Sequence, residues 1–257
     1  MKKILAFLFI FAVFFAFSSS AYAAEKKKQK KVVTRVEFET RDKFLLVGDL
    51  YFADQKKPAR PLVVLLHSYG LRGMDFAPLA RDLRAKNYNV LALDLRGHGR
   101  SVRLSNLKFK SRNSFTKDDW VRFPYDAIEA VEFIKKNYPK INADEFYFIG
   151  ADIGASSAVL AADKMKNKPV RMVLISPYLN FKGLDISSVI PKLNTVPMMI
   201  VASKSDKTSF AQADIVSRLV HSEVKTDYYD EGGSGVMLLK RNPLSYLSLV
   251  NYIISGK

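Results

Sequence analysis

Between Glu145 and Leu160 the chain passes from an apolar stretch, Phe146-Tyr-Phe-Ile149, through Gly150-Ala-Asp152-Ile-Gly154 into a run of small residues. This is the spacing of Gly-x-Ser-x-Gly, a strand-to-helix corner that holds a nucleophile up at the edge of a sheet. Its glycines allow a strained turn and close packing of helix on strand. Here the nucleophile position holds Asp152. A carboxylate at such a corner has three chemistries open to it. It can attack carbon and form a covalent ester. It can cap the following helix, whose first N–H groups and dipole favour negative charge. Together with Asp206 and Asp230 it can offer oxygen ligands to a hard cation. No calcium-loop spacing accompanies these aspartates, so neither a metal nor an organic cofactor is expected.

The corner needs a sheet to stand on, and the chain supplies one by alternating strand and helix patterns. Val32–Glu39 and Phe44–Tyr51 read as an opening hairpin. Leu62–Leu66 is continuously apolar, as a strand buried on both faces must be. Val90–Leu93, Phe146–Ile149, Met172–Ile175, Met198–Ala202 and Val224–Tyr229 supply five more strands. Helical spacing links Phe76 to Leu83 and Ala127 to Ile134, with further helices near Gly154–Met165, Phe210–Leu219 and Leu244–Ile254. The alternation predicts a mostly parallel α/β sheet with helices on both faces, and sites at the carboxyl ends of the strands. Strand three ends in His67-Ser-Tyr-Gly70 and strand four in Asp94-Leu-Arg-Gly-His-Gly-Arg-Ser101. Strand seven ends in Ser203-Lys-Ser-Asp206 and strand eight in Asp230-Glu-Gly-Gly-Ser-Gly235.

These segments resemble the α/β-hydrolase superfamily, particularly small single-domain bacterial members near its dienelactone-hydrolase and serine-aminopeptidase-like branches. The resemblance covers almost all of the chain after residue 31. Leu93-Asp-Leu-Arg-Gly-His-Gly-Arg-Ser101, the Asp152 corner and His67-x-x-Gly70 carry it. It implies an α/β-hydrolase fold with an eight-stranded, mostly parallel sheet and no large cap domain. It further implies oxyanion-hole N–H donors at Tyr69 and Ile153, the nucleophile position at Asp152, the acid at Asp206 and the base position at Ser234. Relatives carry serine and histidine where this chain has Asp152 and Ser234, and those two groups act as a unit. Haloalkane dehalogenases and epoxide hydrolases, in the same superfamily, do use an aspartate at the corner. They also need a histidine to activate water, and usually carry a helical cap after strand six. In this chain the link between strand six and strand seven offers only about sixteen residues, Leu179–Asn194, for a cap.

Of the three histidines, His221 falls at the edge opposite the site, while His67 and His98 fall on the correct one as candidates for a displaced base. Two function classes follow. One is a non-catalytic binding or scaffolding pseudo-hydrolase with a small-molecule ligand in a vestigial pocket. The alternative is an active hydrolase of an ester or related bond, working through Asp152 or a displaced histidine.

The start of the chain reads separately. Lys2 and Lys3, the fourteen-residue apolar run Ile4–Phe17 and Ala21-Tyr22-Ala23 form a secretory signal pattern over residues 1–23. The run is short of the roughly 20 residues a membrane span needs. Residues 24–31, with five lysines, read as a basic tail, and residues 32–257 as the folded domain. The expectation is an exported protein of the cell envelope or beyond. The chain has no cysteine, which excludes disulfides and cysteine-based lipidation. Its formal charge of +16, or +14 without Lys2 and Lys3, suits anionic envelope polymers or lipid head groups. Nucleic acid is not an expected partner, because no binding module accompanies the charge.

Overall fold

The computed structural model describes residues 32–54 and 60–256; the expected signal segment and basic tail lie outside them. β1 (Val33–Glu39) and β2 (Phe44–Tyr51) form the predicted antiparallel hairpin. β3 (Arg60–Leu66), β4 (Tyr88–Asp94), β6 (Phe146–Ala151), β7 (Arg171–Ile175) and β10 (Met198–Ser203) make the centre, and β11 (Val224–Tyr229) closes the far edge. Strand order is β1-β2-β4-β3-β6-β7-β10-β11, with the short β5 (Arg103–Leu104) pairing onto β2. From β4 to β11 every neighbouring pair is parallel. The central strands are buried almost throughout because both faces are covered, whereas β1 alternates buried and open residues as an edge strand does.

Helices cover both faces. α1 (Ala77–Ala85) sends Leu79, Ala80 and Leu83 into one core. α6 (Gly235–Arg241) and α7 (Pro243–Ser255) join it there. α3 (Phe123–Asn137), α4 (Ile153–Lys164) and α5 (Lys207–Leu219) pack into the other core, and the one-turn α2 (Lys117–Trp120) leads into α3. Between β7 and β10 the chain makes only a two-residue hairpin, β8 (Asn180–Phe181) with β9 (Leu184–Asp185), and a short 3-10 turn at Ile190–Lys192. This is an α/β-hydrolase fold without a large cap.

The Asp94–Ser101 segment is a knot that fixes the end of β4. The Asp94 carboxylate accepts from the Gly73 N–H at 2.7 Å and from the Arg100 N–H at 2.9 Å. Arg96 is fully buried between Asp126, which is also buried, and Asp42, while Arg100 bridges Asp94 and Asp49. Ser101 donates to the Asp94 carbonyl and accepts from the Val47 N–H, tying β4 to β2. The side chains that make this phrase recognisable therefore hold a loop in place.

Candidate functional site

The chain leaves β3 on one side and β6 on the other of the place where strand order reverses, which is where open α/β sheets form sites. Asp152 stands there with φ 56° and ψ −117°, a strained corner outside the left-handed helical basin. The glycine after it is obligatory. A Cβ on Gly154 would lie 2.1 Å from the Leu66 carbonyl oxygen, so α4 can approach β3 this closely only without a side chain.

The corner does not use the Asp152 side chain as a helix cap, and that expectation is corrected. The Ala155 and Ser156 N–H groups bond the backbone carbonyl of Asp152, at 2.9 and 3.3 Å, and no side-chain cap forms. The carboxyl therefore reaches neither the second nor the third N–H of α4 as a capping side chain would. It faces the Tyr69 and Ile153 N–H groups, the two donors expected to bind an oxyanion. Neither closes a full hydrogen bond, and Oδ1 is buried without a partner among the described residues. Burial pushes the Asp152 carboxyl up to about 6; the Tyr69 and Ile153 N–H groups pull it down, and the Asp206 charge adds to the rise. Beside it, burial and the charges of Asp152 and Asp206 push the Tyr178 phenol up to about 12.

Asp206, half-buried, caps α5 by accepting from the Ser209 N–H at 3.1 Å. Ser234 stands at the start of α6, and its side chain caps nothing there. Its loop is clamped by three serines from three strand ends. Ser205 accepts from the Gly233 N–H at 2.9 Å, Ser176 from the Gly235 N–H at 2.9 Å and Ser68 from the Val236 N–H at 3.1 Å. Gly235 is pressed against the corner: a Cβ there would lie 2.1 Å from Ser68 Oγ and 3.8 Å from the Asp152 Cβ. Ser68, Ser176 and Tyr178 were not singled out from the sequence. The available signal was their place directly after an apolar strand, at the edge that carries sites.

Neither His67 nor His98 is hydrogen-bonded to Asp152. His67 is fully buried, with Nδ1 2.8 Å from the Ser68 carbonyl and Nε2 accepting from the Leu95 N–H at 3.0 Å. Both ring nitrogens are engaged by backbone, which fixes a neutral Nδ1–H tautomer. His98, also buried, gives Nδ1 to the Arg96 carbonyl at 2.9 Å, and its Nε2 has no partner among the described residues. Burial pushes each imidazole down to about 4, and neither is hydrogen-bonded to Asp152. His221 is exposed ahead of β11, at the opposite edge. Asp230 is exposed and paired with Lys204, and no three metal-ligating side chains converge among the described residues.

The site has an aromatic mouth. The ring of Tyr69, 36% exposed, lies 5.7 Å from Phe181, 6.0 Å from Trp120 and 5.7 Å from His98. Arg112 and Lys182 sit over it at 5.5 and 5.7 Å. A separate apolar groove of about 550 Å³ runs between α1, α6 and α7. The carboxylates on its wall are already used, Asp75 by Lys240 and Asp82 by Tyr246, so reactive chemistry is not placed there.

Residues 57–231 match the family model described as serine aminopeptidase, S33. The chain belongs to that family. The match takes in the loops after β3 and β4, the Asp152 corner and Asp206, and ends at Glu231, short of Ser234. A monoglyceride lipase homolog of monkeypox virus is 25% identical over 190 residues, which is 72% of this chain. The chain spans 62% of that relative's length. An esterase of Pyrococcus furiosus superposes with a TM-score of 0.68 at 20% identity, over 87% of this chain and 92% of the esterase. A dienelactone hydrolase of Anabaena variabilis superposes with a TM-score of 0.62 at 12% identity, over 87% and 96%. At these identities the two superpositions speak for the fold that the serine aminopeptidase family shares with them.

Proposed function

We propose that this member of the serine aminopeptidase family is an exported, non-catalytic protein of the cell envelope that uses the hydrolase fold to bind or scaffold. One observation carries the reading: a carboxyl with a buried, unpartnered Oδ1 among the described residues takes the nucleophile's place, beside the Tyr69 and Ile153 N–H groups placed to receive an oxyanion. An oxyanion hole works by presenting unused donors to charge that develops in the transition state. Here a carboxyl stands in front of those donors beforehand. The serine that would attack and the histidine that would move its proton are both absent from their positions, and without that unit little triad chemistry remains.

The alternative, hydrolysis through an Asp152 ester, needs a base to activate the water that frees it. His67 is committed to the backbone at both nitrogens, and His98 lies buried without a hydrogen bond to Asp152. What the site retains is a surface for a small molecule, with the rings of Tyr69, Tyr178 and Phe181 as an apolar wall. The export reading rests on the signal pattern over residues 1–23.

Mature protein is expected to show no labelling by a fluorophosphonate probe and no hydrolysis of short p-nitrophenyl esters above buffer. Stoichiometric labelling, or turnover that disappears in Asp152→Ala, would refute the non-catalytic reading.

A further inference from the structure

The loop after β4 carries an apolar tip that the fold does not use. Residues 103–109 form a tight hairpin in which Arg103 bridges to Phe109, the Leu104 N–H donates to the Lys108 carbonyl at 3.0 Å and the Leu107 N–H to the Leu104 carbonyl at 2.9 Å. At its end Leu107 and Phe109 are each 71% exposed, and neither joins either core. Leu107 also has φ 64°, in the left-handed region where glycine or asparagine is the ordinary choice. A leucine there is unfavourable both in hydration and in backbone strain, and strain retained by a chain points to use.

The charge carried by the loop itself has one sign, although Glu39 of β1 reaches Ser105 at the hairpin. From Val102 to Lys117 the sequence holds five cations, Arg103, Lys108, Lys110, Arg112 and Lys117, and no carboxylate. Lys110 is paired with Asp119 and Arg112 lies over Tyr69, whereas Arg103, Lys108 and Lys117 are exposed with no ion pair among the described residues. The hairpin also stands on a particular edge. β5 pairs with Phe44–Leu45 at the start of β2, just beyond the pairing of Val47 with Asp94 at the end of β4. That is the carboxyl edge of the parallel strands, which also carries Asp152.

We infer that the 103–109 hairpin is an interfacial anchor that seats the protein on an anionic phospholipid bilayer. Leu107 and Phe109 enter the boundary between head groups and acyl chains, and Arg103, Lys108 and Lys117 meet the lipid phosphates. A soluble polyanion would engage the cations and leave the two apolar tips in water; a bilayer surface engages both. Bound this way, the edge carrying Asp152 turns toward the membrane. The inference stands whether or not the Asp152 corner is catalytic.

The test is co-sedimentation of the full mature chain with vesicles of equimolar phosphatidylcholine and phosphatidylglycerol, beside vesicles of phosphatidylcholine alone. Wild type is expected to bind the anionic vesicles and to bind the neutral ones weakly. Leu107→Asn with Phe109→Ser is expected to lower partitioning at least about tenfold, the effect of removing two buried apolar side chains. Its Tm should not fall, because asparagine suits the left-handed backbone at 107. Lys108→Glu, at an exposed position, is expected to weaken binding about tenfold and serves as an independent arm should the double variant fold poorly. Failure of wild type to bind anionic vesicles overturns the proposal. So does a folded double variant that binds as tightly as wild type, which would assign the attraction to charge alone, through the lysine-rich segment or toward an anionic polymer.

Discussion

Replacing Asp152 by asparagine is expected to stabilise the protein at neutral pH, and the gain should vanish in acid. In the folded protein burial, the main cause, pushes the carboxyl up to about 6 from its ordinary 3.8. A raised carboxyl pKa means that the folded state binds the proton more tightly than the unfolded state. The stability that comes with the proton is complete below about pH 4 and is lost as pH rises through 6. Above that pH the fold carries a buried charge worth up to about 3 kcal/mol, at roughly 1.4 kcal/mol per pKa unit. Asparagine keeps the shape, meets the same strained corner as aspartate and has no charge to bury. Asp152→Asn should therefore add about 1–3 kcal/mol to the unfolding free energy at pH 7–8 and little near pH 4. Urea unfolding at the two pH values measures it. Had the carboxylate been a helix cap, removing it would cost about 0.5–2 kcal/mol. A loss of stability at neutral pH in Asp152→Ala, with Asp152→Asn close to wild type, would restore that account, because asparagine caps about as well as aspartate.

The largest change is expected when the corner and the base position are altered together. Asp152→Ser removes the carboxyl from in front of the Tyr69 and Ile153 N–H groups and supplies a hydroxyl; Ser234→His offers it a base, with Asp206 on the neighbouring strand end. The Ser234 side chain caps nothing, and its loop is held through the N–H groups of Gly233, Gly235 and Val236, so a substitution there removes no clamp. An intact serine–histidine–aspartate unit is worth about 10⁶ in rate, and a misplacement of about 1 Å can forfeit 10² of it. The double variant should therefore hydrolyse p-nitrophenyl esters about 10²–10⁴ times faster than wild type, while each single variant stays near background. Equal activity in the Asp152→Ser variant alone would mean that a base other than residue 234 reaches the corner. A folded double variant with no activity and no fluorophosphonate labelling would show that the donors cannot serve an oxyanion.

Local pattern was enough for the sheet and for the corner. Runs such as Leu62–Leu66 are apolar at every position because both faces are covered, and Gly150 and Gly154 mark a turn that few other sequences can make. Less visible was the direction in which side chains point. Asp152 reads as a cap because it precedes a helix, but its carboxyl faces Tyr69, a residue 83 positions away in the chain. His67 and His98 read as candidate bases because they lie on the correct edge. Only the contact of His67 with Leu95, made across two strands, shows that its second nitrogen is already taken. Ser68, Ser176 and Ser205 look like ordinary loop serines in the sequence; their clamp on the 233–236 loop exists only once three strand ends come together. The C-terminal helical pattern near Leu244–Ile254 likewise hid α6, a seven-residue helix set off by Asn242-Pro243 and too short to show a period.

Whether Asp152 occupies its own oxyanion site can be measured directly by NMR titration of its side-chain carboxyl carbon together with the Tyr69 and Ile153 amides. The carboxyl should titrate with a midpoint of about 6, and both amide signals should move with the same midpoint as the charge in front of them appears. A carboxyl that titrates near its ordinary value of 3.8, with both amides unmoved through that range, would contradict the account.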